Sequence, residues 1–200
     1  EKATSEATGA VTLQWSPAEN ESVVGYLVYS GTAFASLVSK VELRQSSSIT
    51  LRDLPPSSQQ TFGVRALALD GTEDPNTRTM SVVVRDMRPP AFAGIETATL
   101  TGKGEAKLTW TPTSSADRYR VYMASAYQLA PTSNPQPDLS QPYLTLNGAN
   151  VGEVYLQNLA DESRYVFVVR AVSRFDVEDD NRVDCSDRKN YCRSVDIPDQ

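Results

Sequence analysis

The sequence contains no histidine and only two cysteines in 200 residues. Without histidine, the commonest general base and the commonest nitrogen ligand for zinc are both missing. No serine or cysteine lies in a nucleophile-elbow or papain-like context, and nothing marks lysine-assisted serine catalysis. Gly102-Lys103-Gly104 lacks the continuation of a phosphate loop and reads as a hairpin turn. The 25 carboxylates are so numerous that a pair of them carries no signal for glycoside hydrolysis. The chain is therefore read as noncatalytic, with no cofactor. Long apolar runs are missing too: none approaches the ~20 residues that cross a bilayer. A net charge of −6 repels phosphate backbones and anionic membranes, which argues against nucleic acid as a partner. The opening EKATSEATGA is polar and lacks an apolar signal core, so a targeting segment is either absent altogether or lies upstream; the cysteine pair described below favours upstream, with any anchor upstream or downstream.

What is present describes a folded, soluble chain. Hydrophobic residues make up 40% and charged residues 22%, with 12 prolines and 10 glycines, which argues against disorder and collagen-like repeats. Two hundred residues suffice for two domains with ordinary cores. The cysteines, Cys185 and Cys192, stand in a polar stretch among Asp184, Ser186, Asp187, Arg188, Lys189 and Asn190. A buried thiol would be expected among apolar neighbours. A disulfide is expected instead, closing a ring of eight residues, contributing roughly 2–3 kcal/mol and implying an oxidising compartment.

The chain repeats itself. Val11-Thr12-Leu13-Gln14-Trp15-Ser16-Pro17 recurs as Ala106-Lys107-Leu108-Thr109-Trp110-Thr111-Pro112, and Gly25-Tyr26-Leu27-Val28-Tyr29 as Arg118-Tyr119-Arg120-Val121-Tyr122. Ile49 to Leu54 recurs as Val154 to Leu159, and Val64-Arg65-Ala66 as Val169-Arg170-Ala171, both at an offset of 105. The earlier matches lie at 95 and 93, so the second copy carries about 12 extra residues before its leucine turn. Tyr165, Phe167, Val169 and Ala171 alternate with Val166, Val168 and Arg170, as a strand with one buried face requires. Short strands about ten residues apart, with tryptophan and then tyrosine on successive strands, predict an all-β chain of two tandem antiparallel β-sandwiches.

On Trp15 and Trp110, Tyr26-Leu27-Val28 and Tyr119-Arg120-Val121, the Leu54 and Leu159 turns, and Val64-Arg65-Ala66 and Val169-Arg170-Ala171, the chain resembles the fibronectin type III family of immunoglobulin-like domains over nearly all of both halves. The resemblance implies domains at 1–88 and 91–200, the second with an insertion at about 124–153 and a long loop at 174–192 before its closing strand. The strands and the opening Pro-Pro-Ala-Phe-Ala-Gly-Ile look more like bacterial than animal members. Tyr165 lies six residues after Leu159, the spacing of a tyrosine corner; six residues after Leu54 stands Gln60, so the first copy should close this corner differently and be the less stable. Thr77 to Arg85 reads as the last strand of the first domain. Asp86 to Pro90 reads as a short, stiff link that gives the domains a preferred orientation. Phe92 reads either as a residue near the joint or as an ordinary core residue. Asn147-Gly148 signals a two-residue hairpin.

Three surfaces could bind something. In the long loop, Asp176, Glu178, Asp179, Asp180, Asn181 and Asp184, with Arg188 and Tyr191, form a candidate binding site. Asp176, Glu178 and Asp180 offer oxygens for Ca²⁺, but Arg182 stands where an EF-hand needs glycine. A solvated acidic loop balanced by Arg174, Arg182, Arg188, Lys189 and Arg193 is preferred. Period two places Leu27, Tyr29, Leu67 and Leu69 on the outer face of one sheet of the first domain, a candidate partner face unless Arg65 and loop residues cover it. The matching positions in the second domain, Arg120, Tyr122, Val168 and Arg170, are more basic and could meet an anionic glycan or protein. No Arg-Gly-Asp is present, and Asn20-Glu21-Ser22 is a glycosylation acceptor only in a eukaryotic source. The expected function is a noncatalytic extracellular, periplasmic or cell-surface module that binds a protein or glycan or spaces such a binder. The alternative is an accessory region of a larger secreted enzyme such as a polysaccharide hydrolase.

Overall fold

A computed structural model describes residues 1–19, 22–34, 36–42, 45–127, 135–181, 185 and 192–198. Two compact units divide the chain, Glu1–Met87 and Arg88–Gln200. In the first, β1 (Lys2–Ala7), β2 (Ala10–Gln14) and β5 (Ser48–Leu51) form one sheet, and β4 (Ser36–Val41), β3 (Val23–Ser30), β6 (Gln59–Ala68) and β7 (Met80–Val83) form the other. In the second, β8 (Thr97–Gly102), β9 (Glu105–Thr109) and β12 (Glu153–Leu156) face β11 (Leu144–Asn147), β10 (Arg118–Tyr127), β13 (Ser163–Val172) and β14 (Cys192–Ile197). Every strand pairing is antiparallel.

Alternation builds each core. Val11, Leu13, Tyr26, Val28, Phe62 and Val64 point between the sheets of the first unit; Ala106, Leu108, Tyr119, Val121, Phe167, Val169 and Ala171 do so in the second. The repeated aromatics are tied in the same way in both. Trp15 and Tyr26 lie 5.2 Å apart between ring centroids, Trp110 and Tyr119 5.5 Å. The Tyr26 hydroxyl accepts from Ala18 N, and the Tyr119 hydroxyl from Thr113 N. The leucine turns dock on the first hairpin of each unit, where Leu54 N donates to Gly9 O and Leu159 N to Gly104 O. Both glycines take positive φ, and a Cβ at Gly104 would lie 2.8 Å from Leu159 O, so this position requires glycine.

Several expected elements differ. The last strand of the first unit is only Met80–Val83: Asp74 accepts from Asn76 N and Asn76 from Arg78 N, side-chain turns that draw this stretch off the ladder. Residues 91–95 form no strand; Phe92 packs 5.5 Å from Tyr119 in the core. Asn147-Gly148 does turn the chain, with Gly148 at φ 119°, but it closes no hairpin. Leu144–Asn147 pairs with β10, and the chain then crosses to the other sheet as β12 beside β9.

The corner before β6 shows why Gln60 stands there. In the second unit the Tyr165 hydroxyl accepts from Ala160 N at 2.8 Å. The residue in Ala160's place in the first copy is Pro55, which has no N–H to give a phenol. Gln60 Nε2 donates instead to Ser58 Oγ, which donates to Pro55 O. Tyrosine and its donor are replaced together.

Candidate functional site: the outer sheet faces

The outer faces of the two four-stranded sheets carry most of the residues with binding chemistry. In both units the chain leaves the long central strand, turns, and runs back beside it. Ala68 N donates to Thr72 O and Asp74 N to Ala66 O in the first unit; Ser173 N donates to Val177 O and Asp179 N to Ala171 O in the second. This return hairpin carries Glu73-Asp74-Pro75-Asn76 in one copy and Glu178-Asp179-Asp180-Asn181 in the other, again 105 residues apart.

The glutamate performs the same task twice. Tyr29 Oη donates to Glu73 at 2.9 Å, and Arg65 Nη1 lies 3.5 Å from the same carboxylate. Tyr122 Oη donates to Glu178 at 2.6 Å, and Arg120 Nη1 donates to it at 2.7 Å. Burial first, then the bonded carboxylate, push both phenols above the ordinary tyrosine range. Each hairpin is thereby fastened across the outer face by a tyrosine, a glutamate and an arginine.

Over this clamp the two faces are covered by different means. In the first unit Phe34, in a left-handed conformation at φ 52°, lays its ring over Gly63, where a Cβ would fall 2.4 Å from it. The Arg65 guanidinium stands 4.1 Å above the ring and Tyr29 meets its edge at 5.5 Å. In the second unit the residue in place of Gly63 is Val168. There, Tyr122, Val166, Val168 and the cystine pack into a small core of their own, joined by Leu139 from the insertion. Cys185 and Cys192 are bonded, with Cα atoms 5.4 Å apart.

Gly63→Val is expected to expel the Phe34 ring and destabilise the first sandwich by about 1–3 kcal/mol through overpacking. Urea unfolding of the intact chain should show this in the transition of that sandwich alone.

The candidate loop residues sit as follows. Asp176 accepts from Arg120 at 2.6 Å and from Arg118, whose hydrogen bond, seconded by the Arg120 charge, holds it below the ordinary carboxylate range. Glu178 completes the clamp. Asp179 is almost fully buried: Ala171 N donates to Oδ2 at 2.7 Å, and Arg170 Nη1 to Oδ1 at 3.0 Å. Burial raises its pKa against the pull of that amide and of Arg170. Asn181 Nδ2 donates to Phe92 O at 2.8 Å. Asp180 is exposed; Asp184, Arg188 and Tyr191 lie outside the described residues, as does Asn20. Asp176, Glu178 and Asp179 thus face strand arginines 118, 120 and 170, while Arg182, Arg188 and Lys189, expected to balance the loop, lie outside the described residues. Of the Ca²⁺ candidates, Asp176 and Glu178 already accept from guanidinium and phenol groups, and no cluster of three or more metal-ligating side chains occurs among the described residues.

The candidate partner face is largely covered. Leu27 is buried, Tyr29 and Leu67 are partly buried, and Leu69 alone stands in solvent, 81% exposed at the hairpin tip. Sequence reasoning missed Glu73 and Phe34, although the repeated Glu-Asp-x-Asn was there to find the first.

No family model and no curated protein matches the chain. Its backbone is similar to the crystal structure of the chicken CNTN1 FN1–FN3 domains, with a TM-score of 0.53 at 16% identity over 96% of this chain. The fold is two fibronectin type III sandwiches in tandem. This chain spans 62% of that structure. A central fibronectin-III array of RIM-binding protein aligns with 100% of this chain and 68% of its own, at 16% identity and a TM-score of 0.35. A two-domain fibronectin type III segment of chicken tenascin aligns with 90% and 92%, at 17% identity and 0.35. Within the type III sandwiches described here, the return hairpin and its clamp occupy the segment after the long central strand of each.

Proposed function

We propose that this chain is a noncatalytic binding or spacer region of a secreted, periplasmic or cell-surface protein, engaging a protein or a glycan. The observation that carries this reading is the use to which the second sandwich puts its acidic loop. Asp176, Glu178 and Asp179 accept from arginines, a phenol and a backbone amide, so the side chains richest in acid–base chemistry fasten a loop to a sheet. The cystine beneath that loop belongs to an oxidising compartment. Sandwiches whose outer faces are covered suit a region that presents its hairpin tips. Leu69 is exposed at the tip of the first hairpin, and Asp180 is exposed on the returning arm of the second, next to Asp179.

The test is capture from cell-surface extracts, together with a glycan array, using the intact chain, Leu69→Ser and Asp180→Lys. Capture or array binding by the intact chain that falls at least tenfold in one of the variants supports the reading. No binding in either format, or binding that both variants retain in full, overturns it.

A further inference from the structure

At one edge of the first sandwich, between β4 and β5, the two sheets stand apart around a cleft of about 510 Å³. Ile49, Leu51, Leu54 and Phe62 supply its apolar wall, and Gln60 and Arg52 stand among its polar lining. This volume is in the range of small-molecule sites. Its origin lies in the corner already described. In the second sandwich the Tyr165 ring takes the place equivalent to Gln60 and stacks on Phe167 with centroids 6.1 Å apart. Phe62, the equivalent of Phe167, is itself only 1% exposed and forms the floor of the cleft, so the partly buried Ile49, Leu51 and Leu54 are the apolar side chains a ligand reaches. Pro55, standing where Ala160 supplies the N–H, explains why the chain does not put a tyrosine back. Arg52 is exposed at this cleft, and no acidic side chain pairs with it among the described residues.

We propose that this cleft binds a small aromatic carboxylate. The ring lies against Leu51 and Leu54, in the place where the second sandwich keeps its own tyrosine, and the carboxylate meets the Arg52 guanidinium. The ring gains from leaving water and from packing on the partly buried Ile49, Leu51 and Leu54. The guanidinium gives the anion a planar pair of donors, which a neutral ring would leave unused. The site is separate from the hairpin tips and does not depend on the function proposed for them.

The experiment is an NMR titration of the isotope-labelled intact chain with para-hydroxyphenylacetate and, separately, with its neutral amide. Saturable shifts are expected at the Leu51, Leu54 and Gln60 amides, with a dissociation constant on the order of 1 mM or below for the acid. The amide should bind roughly tenfold more weakly. Arg52→Gln should weaken the acid about tenfold and leave the amide as it was. Gln60→Tyr, which restores the ring, should abolish both, with an unchanged fold verified from its spectrum. Absence of saturable shifts, equal affinity for acid and amide, shifts centred elsewhere, or full binding by Gln60→Tyr would each overturn the proposal.

Discussion

Asp179→Ala is expected to lower the stability of the second sandwich by about 3–5 kcal/mol, because removing one partner of a buried ion pair leaves the other charged and unmatched. Asp179 and Arg170 have side chains only 1% and 11% exposed. The substitution also takes the acceptor from Ala171 N, a backbone donor inside the long central strand. The melting transition of the second sandwich should fall while that of the first stays in place, since Asp179 and its partners Arg170 and Ala171 all belong to the second unit. The pH dependence has a definite sign. Burial raises the folded pKa of Asp179 above its ordinary value, so the folded chain holds this proton more tightly than the unfolded one. Its contribution is fully present below the ordinary carboxylate pKa and is lost as pH rises through the folded value. The gap between wild type and Asp179→Ala should therefore widen as the solution is acidified toward the ordinary carboxylate range. A gap that narrows would mean that the attraction of Arg170 outweighs burial.

Removing the cystine is the second large effect. The Cys185–Cys192 link joins residues seven apart, and loop closure of that size contributes about 2.5 kcal/mol by chain entropy. Both cysteines are almost fully buried against Tyr122, Val166 and Val168, so the link also holds an apolar cover over an apolar face. The double variant Cys185→Ala with Cys192→Ala should lose at least the entropic share and bind a hydrophobic dye more strongly in the folded state as that face opens. Calorimetry of the intact chain reads the first result and dye fluorescence below the transition the second. Unchanged dye binding with a lowered melting temperature would leave the cystine as a chain constraint and remove its role as a cover.

The fold was legible because it is written twice. Trp15 with Trp110, Tyr26 with Tyr119 and Leu54 with Leu159 each hold the same structural position, and alternation along β13 named the core residues Phe167, Val169 and Ala171. Alternation also placed Leu27, Tyr29, Val166 and Val168 on the outer face, but a period of two says which side a residue takes and nothing about what lies over it. The covers come from turns and loops. Phe34 reaches back over Gly63 from a turn, and Cys185 reaches Cys192 of β14 from a loop, contacts that depend on chain paths without periodicity. Composition alone describes the acidic loop as solvated. Its alignment with Glu73 and Asn76 in the first copy carries the better information: a pattern kept in both sandwiches belongs to the scaffold. Pro55 in place of Ala160 was equally visible and explains Gln60 on chemical grounds, the loss of a donor together with the ring that used it.

The central claim is that the hairpin after the long strand of each sandwich is fastened down on the outer sheet face. Amide hydrogen exchange on the intact, oxidised chain tests it most directly. The amides of Asp179, Ala171 and Ser173 in the second sandwich, and of Asp74 and Ala68 in the first, all donate within or beside these hairpins. They should exchange as slowly as the amides of the strands they adjoin, and those of the second sandwich should lose protection in Asp179→Ala. Exchange of Asp179 and Asp74 at the rate of an exposed loop would contradict the account.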